Sequence, residues 1–329
     1  MFKKIIFGII AFLLVWILFI WGKYYFFYPS YSQEDINTIF KKENLKAPVY
    51  DSINIRGYSI HYLTNKANDD VITNQETRKK KPYLFLIHDS GKNSGYFLDY
   101  FKNKEINKIF HIIAVDRIGF GKSHFIKSES EDQKEFGEDL DYVTSVMPKE
   151  ILKNEGQHLE EVRIVTNGCA GLLGLKAYNW ADLTYVKVFM FYPETEPRFF
   201  GSIFFSKLIS SPFLSFLFPR DFVSKHQDLL LMDDSKGQGR KTLFENAKIS
   251  ENKGISSDGP MFPAGKGFKS IFFIVANKKA KEQTENIIET NNFLVEEADK
   301  KNIYKDPGFV LDKILLNDFY TLDFNRIRR

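Results

Sequence analysis

Five short, largely apolar runs dominate the middle of this sequence: Tyr83–Ile87, Phe110–Val115, Val162–Val165, Val186–Phe191 and Ile271–Val275. Each is too short for a buried helix. Apolar residues fall on both parities, as a strand covered on both faces requires. Helical-length segments lie between them, Phe136–Leu152 and Leu172–Asp182 among them. Strands alternating with helices predict an α/β fold with a mainly parallel sheet and helices on both faces. The composition suits such a core, with 43% hydrophobic and 27% charged residues in a chain of 329.

The amino terminus follows different rules. After Lys3 and Lys4, the chain carries no charge from Ile5 to Trp21, and Gly22 closes the stretch. That length is near the minimum for a membrane-spanning helix. Lys23 and the aromatic cluster Tyr24–Tyr28 follow, as expected where rings sit at headgroup level. A cleaved signal peptide would need small residues at its cleavage site, and the residues around Gly22 are Trp21, Lys23 and five aromatics. Residues 1–28 therefore read as an uncleaved transmembrane anchor (a signal anchor). Lys3 and Lys4 outweigh Lys23, which places the amino terminus in the cytoplasm and the remaining chain on the extracytoplasmic side of the cell membrane.

Residues 29–50 form a polar connector with a short helical pattern. Ile53, Ile55, Tyr58, Ile60 and Tyr62 then alternate around Arg56-Gly57, a β-hairpin signal. Thr64–Lys81 reads as a loop. A segment at about 195–268 breaks the strand–helix rhythm. It is aromatic-rich over Phe199–Phe218 and polar from Asp233 onward, and predicts an inserted helical cap over the sheet's carboxyl edge. Lys207, Ser210, Ser211 and Pro212 interrupt the aromatic stretch, so it is too broken to span a membrane.

Three segments together resemble the α/β-hydrolase family. Leu84-Phe85-Leu86-Ile87-His88-Asp89-Ser90-Gly91 is similar to that family's strand and oxyanion loop. Ile112–Ser123 matches its turn of the form D-R-x-G-x-G-x-S through Asp116, Arg117, Gly119, Gly121 and Ser123. Ile164–Leu172 stands at the place of the nucleophile elbow. The resemblance runs from about residue 51 to the end, is weakest in the cap, and implies the α/β-hydrolase fold for residues 51–329.

The same resemblance shows what is lost. The elbow G-x-S-x-G puts its nucleophile on a strained strand-to-helix turn with small neighbours two positions away. Cys169 as nucleophile has Asn167 and Gly171 as flanks; a shift of one puts Gly168 there, flanked by Thr166 and Ala170. The first register fits the steric requirement better, and neither contains serine. The position of the family's acid falls on Lys279, that of its histidine on Asp318, and no histidine follows His226. The oxyanion loop falls on Asp89 and Ser90, with Ala170 after the nucleophile. Asp89 replaces the usual glycine and opposes the charge that an oxyanion hole must stabilise. If chemistry survives, Cys169 needs a displaced base, and His88 is the candidate, with His226 second.

Other chemistries find little support. The net charge of +4 and the lack of an aromatic-interleaved basic stripe argue against nucleic acid as a partner. Gly121-Lys122-Ser123 ends like a phosphate loop, but Asp116 stands where that loop needs glycine. One cysteine excludes an intrachain disulfide, and His61, His111 and His158 lack metal-ligand spacing, so no metal or other cofactor is expected. The expected function is a membrane-anchored, non-catalytic hydrolase-fold protein whose capped pocket suits an apolar or acyl ligand. The alternative is an ester hydrolase or acyl-transfer enzyme built on Cys169.

Overall fold

The computed structural model describes residues 2–28, 30–65, 81–125, 143, 146–154, 161–171, 185–193, 200–211, 214–220, 222–223, 225–226, 271–287 and 293–326. Most of the loop expected over Thr64–Lys81, the helix expected over Leu172–Asp182 and the later part of the cap lie outside them.

Helix α1 (Phe2–Phe27) is, by length and composition, able to cross a membrane. Helix α2 (Gln33–Lys42) starts at a capping box in which Ser32 and Asp35 satisfy each other's backbone N–H, and it buries Ile36 and Phe40. Strands β1 (Val49–Ile55) and β2 (Tyr58–Thr64) make the expected hairpin. Asn54 Oδ1 accepts the Gly57 N–H at its turn.

The five apolar runs become β3 (Tyr83–Ile87), β4 (His111–Val115), β6 (Glu161–Asn167), β7 (Tyr185–Phe191) and β8 (Ile271–Val275). The two-residue β5 (His124–Phe125) pairs with β2, and β9 (Phe293–Glu297), which the periodicity does not reveal, closes the far edge. The order is β1-β2-β4-β3-β6-β7-β8-β9. β2 runs antiparallel to β1 and β4, and every step from β4 to β9 is parallel.

Alternation within each strand builds two cores. Phe85 and Ile87 join Val115, Ile164 and Val188 on one face, under Val146, Met147 and Ile151 from a helix over residues 146–154. Leu84 and Leu86 join Ile112, Val165 and Phe189 on the other. That face is covered by α2, α3 (Leu98–Lys102), α4 (Lys104–Ile109) and α7 (Pro307–Arg326), through Phe40, Phe101, Ile106, Val310 and Ile314. Between these lie α5 (Phe200–Ile209), within the expected cap, and α6 (Lys278–Ile287) after β8. This is the α/β-hydrolase fold.

Candidate functional site

In an open parallel sheet the loops at the carboxyl ends of the strands form the natural site. Here the loops after β3, β4, β6 and β9 meet.

His88, first residue beyond β3, is fully buried. The Arg117 N–H donates to its Nε2 at 3.0 Å, which places the proton on Nδ1, 2.7 Å from the Asp89 carbonyl. Both ring nitrogens are thereby engaged. Burial, with the Arg117 cation second, holds its proton affinity well below the ordinary histidine range. The imidazole is a neutral clamp between the loops after β3 and β4. The Arg117 guanidinium lies 5.1 Å from the Phe120 ring centroid, with Nη1 3.4 Å from the His88 carbonyl.

The match around Asp116 is architectural. Its carboxylate accepts the Ser94 N–H at 2.7 Å and the Lys122 N–H at 2.8 Å. Ser123 Oγ donates to the Asp116 carbonyl and accepts the His61 N–H, tying the turn to β2. Gly121 has φ +54°, and a Cβ there would lie 2.3 Å from Asp116 Oδ2, so glycine is required twice over.

At the elbow, β6 ends at Asn167 and the chain turns through Gly168–Ala170 into a helical Gly171. The residue with positive φ is Gly168, at +55°. A Cβ on Gly168 would lie 2.6 Å from both carboxylate oxygens of Asp89. Asp89 thus occupies the space above the strained residue. Its Oδ1 also accepts the Ser90 N–H at 2.8 Å, and Ser90 Oγ lies 3.4 Å from the Lys225 carbonyl. Thr166 and Ala170, two residues either side of Gly168, are both fully buried. Cys169 follows the strained position in the backbone; its side chain lies outside the described residues.

The loop between β9 and α7 brings Tyr304 to this point. Its phenol oxygen accepts the Asp89 N–H at 2.8 Å and shares a hydrogen bond with the Asn167 side chain. Burial, and then the Asp89 charge, push the phenol far above the ordinary tyrosine range. Its ring packs on Phe97 and Tyr96, with Lys92 Nζ 4.8 Å from its centroid. Burial lowers the Lys92 ammonium's pKa, against the opposing pull of Asp89. Tyr28, just beyond α1, donates its hydroxyl to the Lys92 carbonyl at 3.0 Å, so the amino-terminal helix is fastened to the same loop.

The remaining expected positions fall elsewhere. Lys279 is exposed on the first turn of α6, behind Asn277, whose Oδ1 accepts the Ala280 N–H. Asp318 is in α7, about three turns beyond its start, and its side chain lies outside the described residues. The chain that returns to the elbow is the preceding loop. Its signal in the sequence is faint: Ile303-Tyr304 is an apolar pair inside the polar stretch from Asp299 to Asp306. A crevice of about 590 Å³ at the ends of β8 and β9 is lined by Glu297, Asp299, Lys301 and Lys313 besides Ala276, Ala298 and Phe309, a mostly charged lining.

No protein-family model and no curated protein matches the chain. Solved structures of similar shape do exist. A carboxylesterase structure from Nitrososphaera gargenis is 12% identical, over 84% of this chain and 100% of its own, with a TM-score of 0.49. A haloalkane dehalogenase from Agrobacterium tumefaciens C58 is 14% identical, over 84% and 97%, with a TM-score of 0.46. A membrane phospholipase A described as a bacterial virulence factor is 13% identical over 99% of both chains, with a TM-score of 0.45. The fold is read from strand order and register, to which likenesses at this level add nothing.

Proposed function

We propose that this chain is a pseudoenzyme: an α/β-hydrolase fold held on a membrane by α1, which binds an apolar or acyl ligand instead of cleaving one. The observation that carries the reading is Gly168 at the strained point of the elbow with the Asp89 carboxylate over it. The place from which a nucleophile would project has no side chain, and a fixed negative charge sits where an oxyanion would need donors. Tyr304, with its phenol held protonated, arrives where a base would be needed. His88 cannot take up a proton on Nε2 without releasing the Arg117 N–H. Loss of a triad member alone costs about 10⁴-fold or more in rate. The domain lies on the extracytoplasmic side, on the strength of Lys3 and Lys4 against Lys23.

The test is turnover of activated short- and medium-chain esters by the full chain in detergent micelles, beside Cys169→Ala. Neither folded protein is expected to exceed the uncatalysed rate. Turnover present in the native chain and lost in the variant would make this a cysteine hydrolase and end the proposal. Native mass spectrometry of the purified chain tests the binding role through retained acyl lipid.

A further inference from the structure

The length of α1 constrains more than the anchor itself. Crossing a hydrocarbon core of about 30 Å takes about 20 helical residues. The charge-free stretch Ile5–Gly22 supplies 18, so all of it is needed. Yet its last third is packed against the described residues of the cap. Trp16 meets Phe218 edge-on at 5.7 Å, and Ile17 and Ile20 pack in one cluster with Ile209, Phe218 and Val223. Trp21 Nε1 donates to the Leu217 carbonyl at 2.9 Å. If these cap residues stayed in water, only Ile5–Val15 would remain to cross, roughly 16 Å of helix. That is about half the core.

The cap's outer face fits the other arrangement. On α5, Phe204, Phe205 and Leu208 share one face and are 59%, 53% and 42% exposed, while Ser206 and Ile209 are buried. Phe216, just beyond, is 73% exposed. Over Phe204–Ile209 the helix turns Phe204, Phe205 and Leu208 outward beside Lys207 and carries Ser206 inside, against the pattern of a soluble surface helix. Two polar groups that would be costly in lipid have partners: Ser206 Oγ lies 2.9 Å from His226 Nδ1, and Ser211 Oγ donates to the Leu208 carbonyl, while Ser210 Oγ is buried without one among the described residues. Lys207 is exposed on a long stem that can reach headgroups, and Arg220 donates to the Gly121 carbonyl.

We infer that the described cap residues between 200 and 223 insert into the leaflet where α1 emerges, so that the bilayer itself covers Phe204, Phe205, Leu208 and Phe216. The inference rests on α1 as a membrane span and makes the protein's attachment a two-element one. It also delivers any apolar ligand of the cap from the lipid phase.

Full-length chains with the background change Cys169→Ala and one new cysteine each, at Leu14, Phe204, Phe216 or Lys278, are nitroxide-labelled and reconstituted in phosphatidylcholine vesicles. Collision with a water-soluble nickel chelate is expected to be lost at Leu14, Phe204 and Phe216 and retained at Lys278, a solvent-exposed site. Chelate access at Phe204 and Phe216 with Leu14 protected would overturn the inference and leave the anchor standing. Access at all four would remove the anchor and the inference together. The unaltered chain gives a second reading through a phospholipid bearing a photoreactive diazirine on its acyl chain. Adducts on peptides over 204–220 as well as on α1 support the inference; adducts confined to α1 sink it.

Discussion

At the scale of single residues, the candidate site turns on a glycine and a carboxylate. Gly168 combines a left-handed φ with a Cβ position already filled by the Asp89 carboxylate. Gly168→Ala is therefore expected to lose about 1–2 kcal/mol for the backbone alone, plus the displacement of Asp89, measured as a shift in urea midpoint. In a double-mutant cycle, Asp89→Gly should recover the steric part, because it empties the space the new methyl must enter. An additive cycle would mean the two groups do not meet. His88 supplies a prediction in pH. Its proton affinity in the folded state lies below the ordinary value of 6.5, so below that pH the unfolded chain binds a proton that the native one refuses. Stability should fall as pH drops from about 6.5, by up to roughly 1.4 kcal/mol per pH unit for one proton. His88→Gln keeps an acceptor for the Arg117 N–H and should flatten that slope in denaturation curves taken between pH 7 and 5. Asp116, whose pKa is raised by burial, acts with the opposite sign but is present in both proteins and cancels in the difference.

At the scale of elements, α1 is fastened to the rest of the chain along one side. Trp16, Ile17, Ile20 and Tyr24 form the stripe that packs on the cap, Trp21 bonds to Leu217, and Tyr28 reaches the loop after β3. Removing residues 1–28 uncovers Ile209, Phe218 and Val223. In the same detergent, the chain from residue 30 onward should melt at lower temperature than the full chain and bind more of a hydrophobic dye. Equal melting and dye binding would show the contact to be inconsequential. The Asp116 turn illustrates the opposite case, an element whose motif is entirely about its own geometry: one carboxylate receives two backbone N–H groups and shapes the chain around Gly121.

At the scale of the whole molecule, a sheet with both faces buried holds the ends of β3, β4 and β6 rigidly beside one another, whatever stands there. The scaffold therefore does not depend on which residues follow those strands, here Asp89, Asp116 and Gly168. Strands such as β3 owe their stability to Leu84, Phe85, Leu86 and Ile87 in two separate cores, and none of those residues is part of the site. Fold and chemistry are carried by different residues, so one can be lost without the other.

Local pattern was enough for much of this. Burial on both faces is written in the strand residues themselves, so β3 and β8 match their apolar runs residue for residue; β9, with Glu296 and Glu297 at its end, carries no such run and was invisible. The apolar length of α1 was equally legible, because it depends only on neighbours in sequence. The backbone conformation after β6 was not: the small-residue rule favours Cys169 as the projecting position, and positive φ falls on Gly168, where a Cβ would meet Asp89. Tyr304 and the α1–cap contact were hidden for the same reason. Each joins groups far apart in sequence, Asp89 with Tyr304 and Trp21 with Leu217, and only the packing of the sheet and its loops decides which of them touch.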